Sequence, residues 1–202
     1  METTVDLKKE AIKNGLIWGI INIVIFLAVW YIAPNLMKSR AYGVITLLIG
    51  LGFAILFTID MRKKAGGYWS FGEALWKIFV MFIVSSALVF VFTILFGKYI
   101  DTGYSTMMRE VTLEQTESML HSMGIEGDTL NQAMADAQVR MDKQFDPTFG
   151  QAVMSYGIVA IFYFLGALIF ALIFKKSNPN PWAAVEETTE NAGIEENTGN
   201  IE

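Results

Sequence analysis

Four stretches of the chain run with almost no polar break. Gly15 to Ala33 is 19 residues without a charge, and Tyr42 to Ile59 is 18. Leu75 to Phe96 holds one charge, Lys77, in its first turn, and Val153 to Phe174 is 22 residues without one. A hydrocarbon core about 30 Å thick takes roughly 20 apolar residues in a helix. Within these stretches apolar and polar residues do not alternate as the strands of a membrane barrel would. A helix also pairs every backbone amide inside its own segment, which hydrocarbon demands. The pattern therefore predicts four transmembrane helices. The first is expected to be a retained anchor, because it is longer than a signal-peptide core and Trp30-Tyr31-Ile32-Ala33-Pro34 leaves no small-residue cleavage site. Trp30, Tyr31, Tyr42, Tyr68, Trp69, Trp76, Tyr99 and Tyr156 stand near the ends of the stretches, where amphipathic rings prefer the headgroup level.

The segments between them carry their own signals. Gly66-Gly67 is a turn, and Ser70 with Glu73 forms a capping box that opens the third span. The 56 residues from Gly97 to Ala152 are too many for a structureless connection. They read as two helices. Thr112 and Gln115 form a capping box for the first, with Gly124 as its stop; the second starts after Asp128 and ends at Pro147. The second carries Leu130, Met134, Ala137, Met141 and Phe145 at spacings of four, three, four and four, which is one helical stripe. This stripe is the candidate interaction surface. Its own neighbouring helix, the membrane surface, a second copy and another protein are all surfaces open to it. The expected fold class is all-α: four transmembrane helices with an extracytoplasmic two-helix hairpin between the third and fourth. The expected organisation is a basic amino terminus over 1–14, a membrane domain over 15–176 (spans 15–33, 42–59, 75–96 and 153–174) with the helical loop 97–152, and a disordered acidic tail over 177–202.

Composition agrees with a membrane class. The chain is 53% hydrophobic and 17% charged, against about 25% charged in soluble domains. Four such helices buried in a soluble fold of 202 residues would leave too little polar surface to cover them. The net charge of −5 comes with no basic stripe on a folded domain, so nucleic acid is excluded as a partner. The basic residues fall nine on the side of the amino terminus, the second link and the end of the fourth span, against six on the other. That bias puts both termini in the cytoplasm.

Chemistry is sparse. With no cysteine, the chain has no thiolate metal site, disulfide or cysteine nucleophile. His121 is the single histidine, so no His-Glu-x-x-His pair exists. No Gly-x-Ser-x-Gly elbow is present either. At membrane depth the polar groups are Asn22, Thr46, Ser85, Ser86, Thr93 and Tyr163, none of them a carboxylate, amine or imidazole. Proton-coupled pumps usually place an ionisable group there. The expectation is no enzyme, no cofactor and no metal. Gly15 and Gly19 form a Gly-x-x-x-Gly pair, and Gly50 with Ala54 and Ala167 with Ala171 are similar small pairs suited to close helix packing.

The basic amino terminus running into Gly15, the link Gly66-Gly67-x-x-Ser70-Phe71-Gly72-Glu73-Ala74, Tyr99-Ile100-Asp101, Ser118-Met119, Gly124 and Lys175-Lys176 carry a resemblance. From about Lys8 to Lys176 the chain resembles the bacterial membrane proteins grouped as domain of unknown function 4199. The resemblance implies a bacterial membrane protein of about four spans, and the expected location is the inner membrane. It implies no activity and no functional residue. Two readings of function stay open. One is a non-enzymatic membrane protein acting through protein partners or self-association as a homo-oligomer. The other is a small transporter or channel component, with Asn22, Ser85, Ser86 and Thr93 lining the path. The lipid bilayer is a partner in both, and neither specifies a small-molecule ligand.

Overall fold

The computed structural model describes residues 6–145 and 147–177, so the expected disorder of the acidic tail beyond them lies outside the described residues. Among the described residues there are seven α-helices and one π-helical turn, and four of the helices are long and apolar enough to cross a membrane.

Helix α1 (Leu7–Ile32) starts well ahead of the charge-free stretch because Asp6 caps it. The Asp6 carboxylate accepts the backbone N–H groups of Lys8 and Lys9 at 3.0 and 3.3 Å. The N–H of Lys9 above all, with that of Lys8, holds this carboxyl below its ordinary range. Pro34 ends α1: it has no N–H to continue the ladder and restricts the residue before it. It opens the one-turn helix α2 (Pro34–Met37) instead, and Ser39 then caps α3 (Arg40–Lys64).

The second link turns on Gly66 and Gly67, both with φ of +85°, a conformation that residues with a Cβ rarely adopt. Helix α4 (Phe71–Leu95) opens with the expected capping box. Ser70 N–H donates to Glu73 Oε2 at 2.9 Å, and Glu73 N–H donates to Ser70 Oγ at 3.3 Å. The π-helical turn Phe96–Ile100 follows α4, and Asp101 caps α5 (Thr102–Ser122).

The sequence signal at Thr112 misplaces the start of α5. Thr112 lies inside the helix, and its hydroxyl donates to Met108 O at 2.7 Å, one turn back, rather than capping anything. Gly124, at φ +76°, does stop the helix. Helix α6 (Gly127–Phe145) packs on α5, and Thr148 caps α7 (Phe149–Phe174) in a second capping box with Gln151.

The core is built on α4. Helix α1 lies along one flank, with Gly15 and Gly19 at the seam; a Cβ on Gly15 would stand 2.7 Å from Met81 O, and one on Gly19 2.9 Å from Leu88 Cδ2. Helix α7 lies along the other flank, where Phe82 meets Tyr163 and Phe170 and Phe79 meets Phe164. Helix α3 joins only by its second half. Ala54, Thr58 and Met61 are buried there, whereas no residue between Ala41 and Phe53 is. The first half of α3 therefore stands away from the bundle.

Polar ties hold the two ends. At one end Lys64 Nζ sits 2.7 Å from Glu10 Oε2 and 2.7 Å from Asp60 Oδ2, and buried Asn14 donates to Asp60 at 3.3 Å. At the same end Trp69 and Lys176 exchange backbone hydrogen bonds of 3.0 and 3.2 Å, and the Trp69 indole donates to Phe174 O at 2.9 Å. At the other end the Trp30 indole donates to Asp101 at 2.9 Å above an aromatic cluster of Phe26, Phe92, Phe96 and Tyr104. Burial pushes the Tyr104 phenol up to about 12, with Tyr42 adding to the shift.

Candidate functional site

The stand-off of α3 leaves a cavity of about 710 Å³ between its first half and helices α1, α4 and α7. Each helix contributes one face at helical spacing. Trp18, Asn22, Ile25 and Phe26 come from α1, and Tyr42, Thr46, Gly50 and Ala54 from α3 with Leu47 and Leu51 beside them. Helix α4 gives Phe82, Ser85, Ser86, Val89, Phe90 and Thr93, and α7 gives Tyr156, Val159, Tyr163 and Gly166. The volume falls in the range of about 300–1,000 Å³ typical of small-molecule sites.

All six polar groups that the sequence places at membrane depth line this one cavity: Asn22, Thr46, Ser85, Ser86, Thr93 and Tyr163. Sequence reading names all six and has Asn22, Ser85, Ser86 and Thr93 line the path in its transporter reading; Thr46 and Tyr163 join them on the wall. Most of their hydrogen bonds stay within one helix. Asn22 donates to Trp18 O at 3.0 Å, Thr46 to Tyr42 O at 2.8 Å and Thr93 to Val89 O at 2.8 Å, each within its own helix. Only Ser86 bonds across, to the Tyr156 hydroxyl at 2.9 Å, and Tyr156 donates in turn to Ile83 O at 2.8 Å. Ser85 and Tyr163 make no hydrogen bond through their hydroxyls.

Apart from these groups, the Tyr42 phenol and the buried, unpartnered Trp18 indole N–H, the wall is apolar, and among the described residues no Asp, Glu, Lys, Arg or His belongs to it. Asp60, six residues beyond Ala54 on α3, is held by Lys64 and Asn14. Among the described residues no cluster of three or more His, Asp or Glu stands together as a metal site. The arrangement can therefore hold a molecule by shape and neutral hydrogen bonds.

Two tyrosines were missed as site residues. Tyr42 and Tyr156 stand near span ends in the sequence and read as interface markers, yet both line the cavity. The signal was there in their spacing, since Tyr42 shares a helix face with Thr46 and Gly50, and Tyr156 shares one with Tyr163. Trp69, also read as an interface marker, is buried against the end of α7.

The α6 stripe lies outside the membrane helices. Leu130, Met134, Ala137 and Met141 are half-buried where α6 meets α5, and the Phe145 side chain lies outside the described residues. Gly15 and Gly19 face α4 within the same chain, away from the cavity.

The chain belongs to the family described as protein of unknown function (DUF4199), whose model matches residues 13–176. No curated protein matches the chain, and no solved structure does.

Proposed function

Starting from a family that brings no activity with it, we propose that the protein is a non-enzymatic membrane carrier or channel component whose working element is the cavity beside α3. The convergence of Asn22, Thr46, Ser85, Ser86, Thr93 and Tyr163 on one space supports this reading above all. Polar groups in hydrocarbon are costly, and six scattered ones would each need a reason; one shared ligand path supplies it. Scattered helix-to-helix bonding would instead contribute about 0.6 kcal/mol per pair, and only the Ser86–Tyr156 pair is of that kind among the six.

Reconstitution tests the proposal. Protein in liposomes is expected to give saturable uptake of at least one solute from a panel spanning acidic, basic and neutral compounds. Asn22→Leu and Ser86→Leu are expected to reduce it. Folded protein without saturable uptake of any of them would defeat the reading.

Action through a protein partner or self-association is the weaker reading, because the stripe that motivates it is the half-buried face of a helix that already packs on α5. The proposal also sets the protein in a bacterial inner membrane with the basic ends of α1 and α7 in the cytoplasm and the α5–α6 hairpin outside. The charge bias supports this orientation. The tie between Lys64 and Glu10 gathers the second link and the start of α1 at one end of the bundle, which this arrangement requires.

A further inference from the structure

The chemistry of the cavity wall narrows what it can hold, if the small-molecule reading above stands. A charged molecule entering would lose its hydration and find no opposite charge on the wall, at a cost of several kcal/mol. A purely apolar molecule would leave the wall's unpartnered polar groups, the buried Trp18 indole N–H among them, without a hydrogen bond, at about 1–3 kcal/mol for a buried group. Ser85 is only 5% exposed, belongs to the wall and has no hydrogen-bond partner. It falls at the middle of the apolar stretch Leu75–Phe96, deep in the bilayer. Tyr163 stands beside Phe82 with a second unpartnered hydroxyl. Thr46 and Thr93 give their protons to their own helices and so present lone pairs. On the opposite side the wall ends at Leu47, which is 70% exposed, and Leu51, so the space is open to hydrocarbon along the detached half of α3.

We infer that the cavity takes an uncharged amphiphile. Its hydroxyl, amide or carbonyl group is hydrogen-bonded at Ser85, and its apolar body lies along the first half of α3 toward the lipid.

Photolabelling of the full chain in phosphatidylcholine nanodiscs tests this. Four probes carry the same diazirine-bearing hexadecyl chain: the alcohol, the sulfonate, the trimethylammonium and the plain alkane. The alcohol is expected to label peptides of α3 and α7 saturably, and about tenfold more than any of the other three at equal membrane concentration. Ser85→Ala, with unchanged melting of the protein, is expected to bring the alcohol down to the level of the alkane. Saturable labelling in which the sulfonate or the ammonium equals the alcohol overturns the uncharged class while the cavity remains a binding site. Equal labelling by alkane and alcohol, or full labelling of Ser85→Ala, overturns the polar anchor. No saturable labelling by any probe overturns the inference, and the same result in the uptake assay removes the site itself.

Discussion

Single side chains decide how closely the helices meet. The absence of a Cβ at Gly15 and Gly19 lets α1 approach the backbone of α4, at Met81 O and Ser85 O respectively. Overpacking a close seam costs about 1–3 kcal/mol. Gly19→Leu is therefore expected to lower the thermal midpoint of the detergent-solubilised protein, whereas Gly43→Leu, at a position with nothing within 4 Å, is expected to leave it unchanged. Equal midpoints for both variants would show that the seam is not tight. At the other extreme of polarity, the Asp6 cap is ionised down to a lower pH in the folded chain than in the unfolded one. Its contribution to the first turn of α1 is thus complete above the unfolded value and fades as pH falls through the folded one. Amide exchange at Lys8 and Lys9 is expected to show fraying in acid beyond that of Asp6→Asn, which keeps an uncharged cap. Identical fraying in the two proteins would remove the carboxylate from the account.

Helices, one step up, were mostly legible and their partners were not. Hydropathy alone located the four long helices because hydrocarbon permits little else. Gly124 and the Ser70–Glu73 box were readable because their geometry is local. Thr112 misled because a threonine inside a helix and one capping it present the same residue followed by the same glutamine; only its bond to Met108 O separates them. The start of α1 came eight residues early for a similar reason, since Lys9–Asp6 and Lys13–Glu10 pairs let charged residues continue a helix beyond the apolar stretch. The cavity was beyond reach, because no feature within α3 says that its first half stands apart while its second half packs on Trp18. The α6 stripe belongs to this scale too. Met134→Asp with Met141→Asp is expected to loosen α6 from α5 and leave the four long helices intact, because the stripe is the half-buried face of a helix that packs on α5 and takes no part in the cavity. Limited proteolysis is the measurement, with new cleavage between Gly124 and Met141 and unchanged protection of α4. Resistance equal to the parent would mean that the stripe is not the packing surface.

Over the whole molecule, polarity is sorted by end. One end gathers Lys64, Glu10, Asp60 and the Trp69–Lys176 pairing, and the other gathers Trp30, Asp101 and the α5–α6 hairpin. With no native cysteine, single replacements report which end faces which compartment. On intact cells a membrane-impermeant thiol reagent is expected to label His121→Cys and not Lys63→Cys; the reverse pattern would invert the molecule in its membrane.

The Trp69–Phe174 hydrogen bond spans 105 positions along the chain. A ribosome releases α4 into the bilayer long before α7 exists, so the knot between the second link and Lys176 is tied only when synthesis is nearly over. Until then the mouth of α4 rests on its own capping box. A nascent chain arrested before Phe149 should therefore hold an inserted but unlatched α4, and shortening the gene product upstream of Lys175 would leave every copy in that unfinished state.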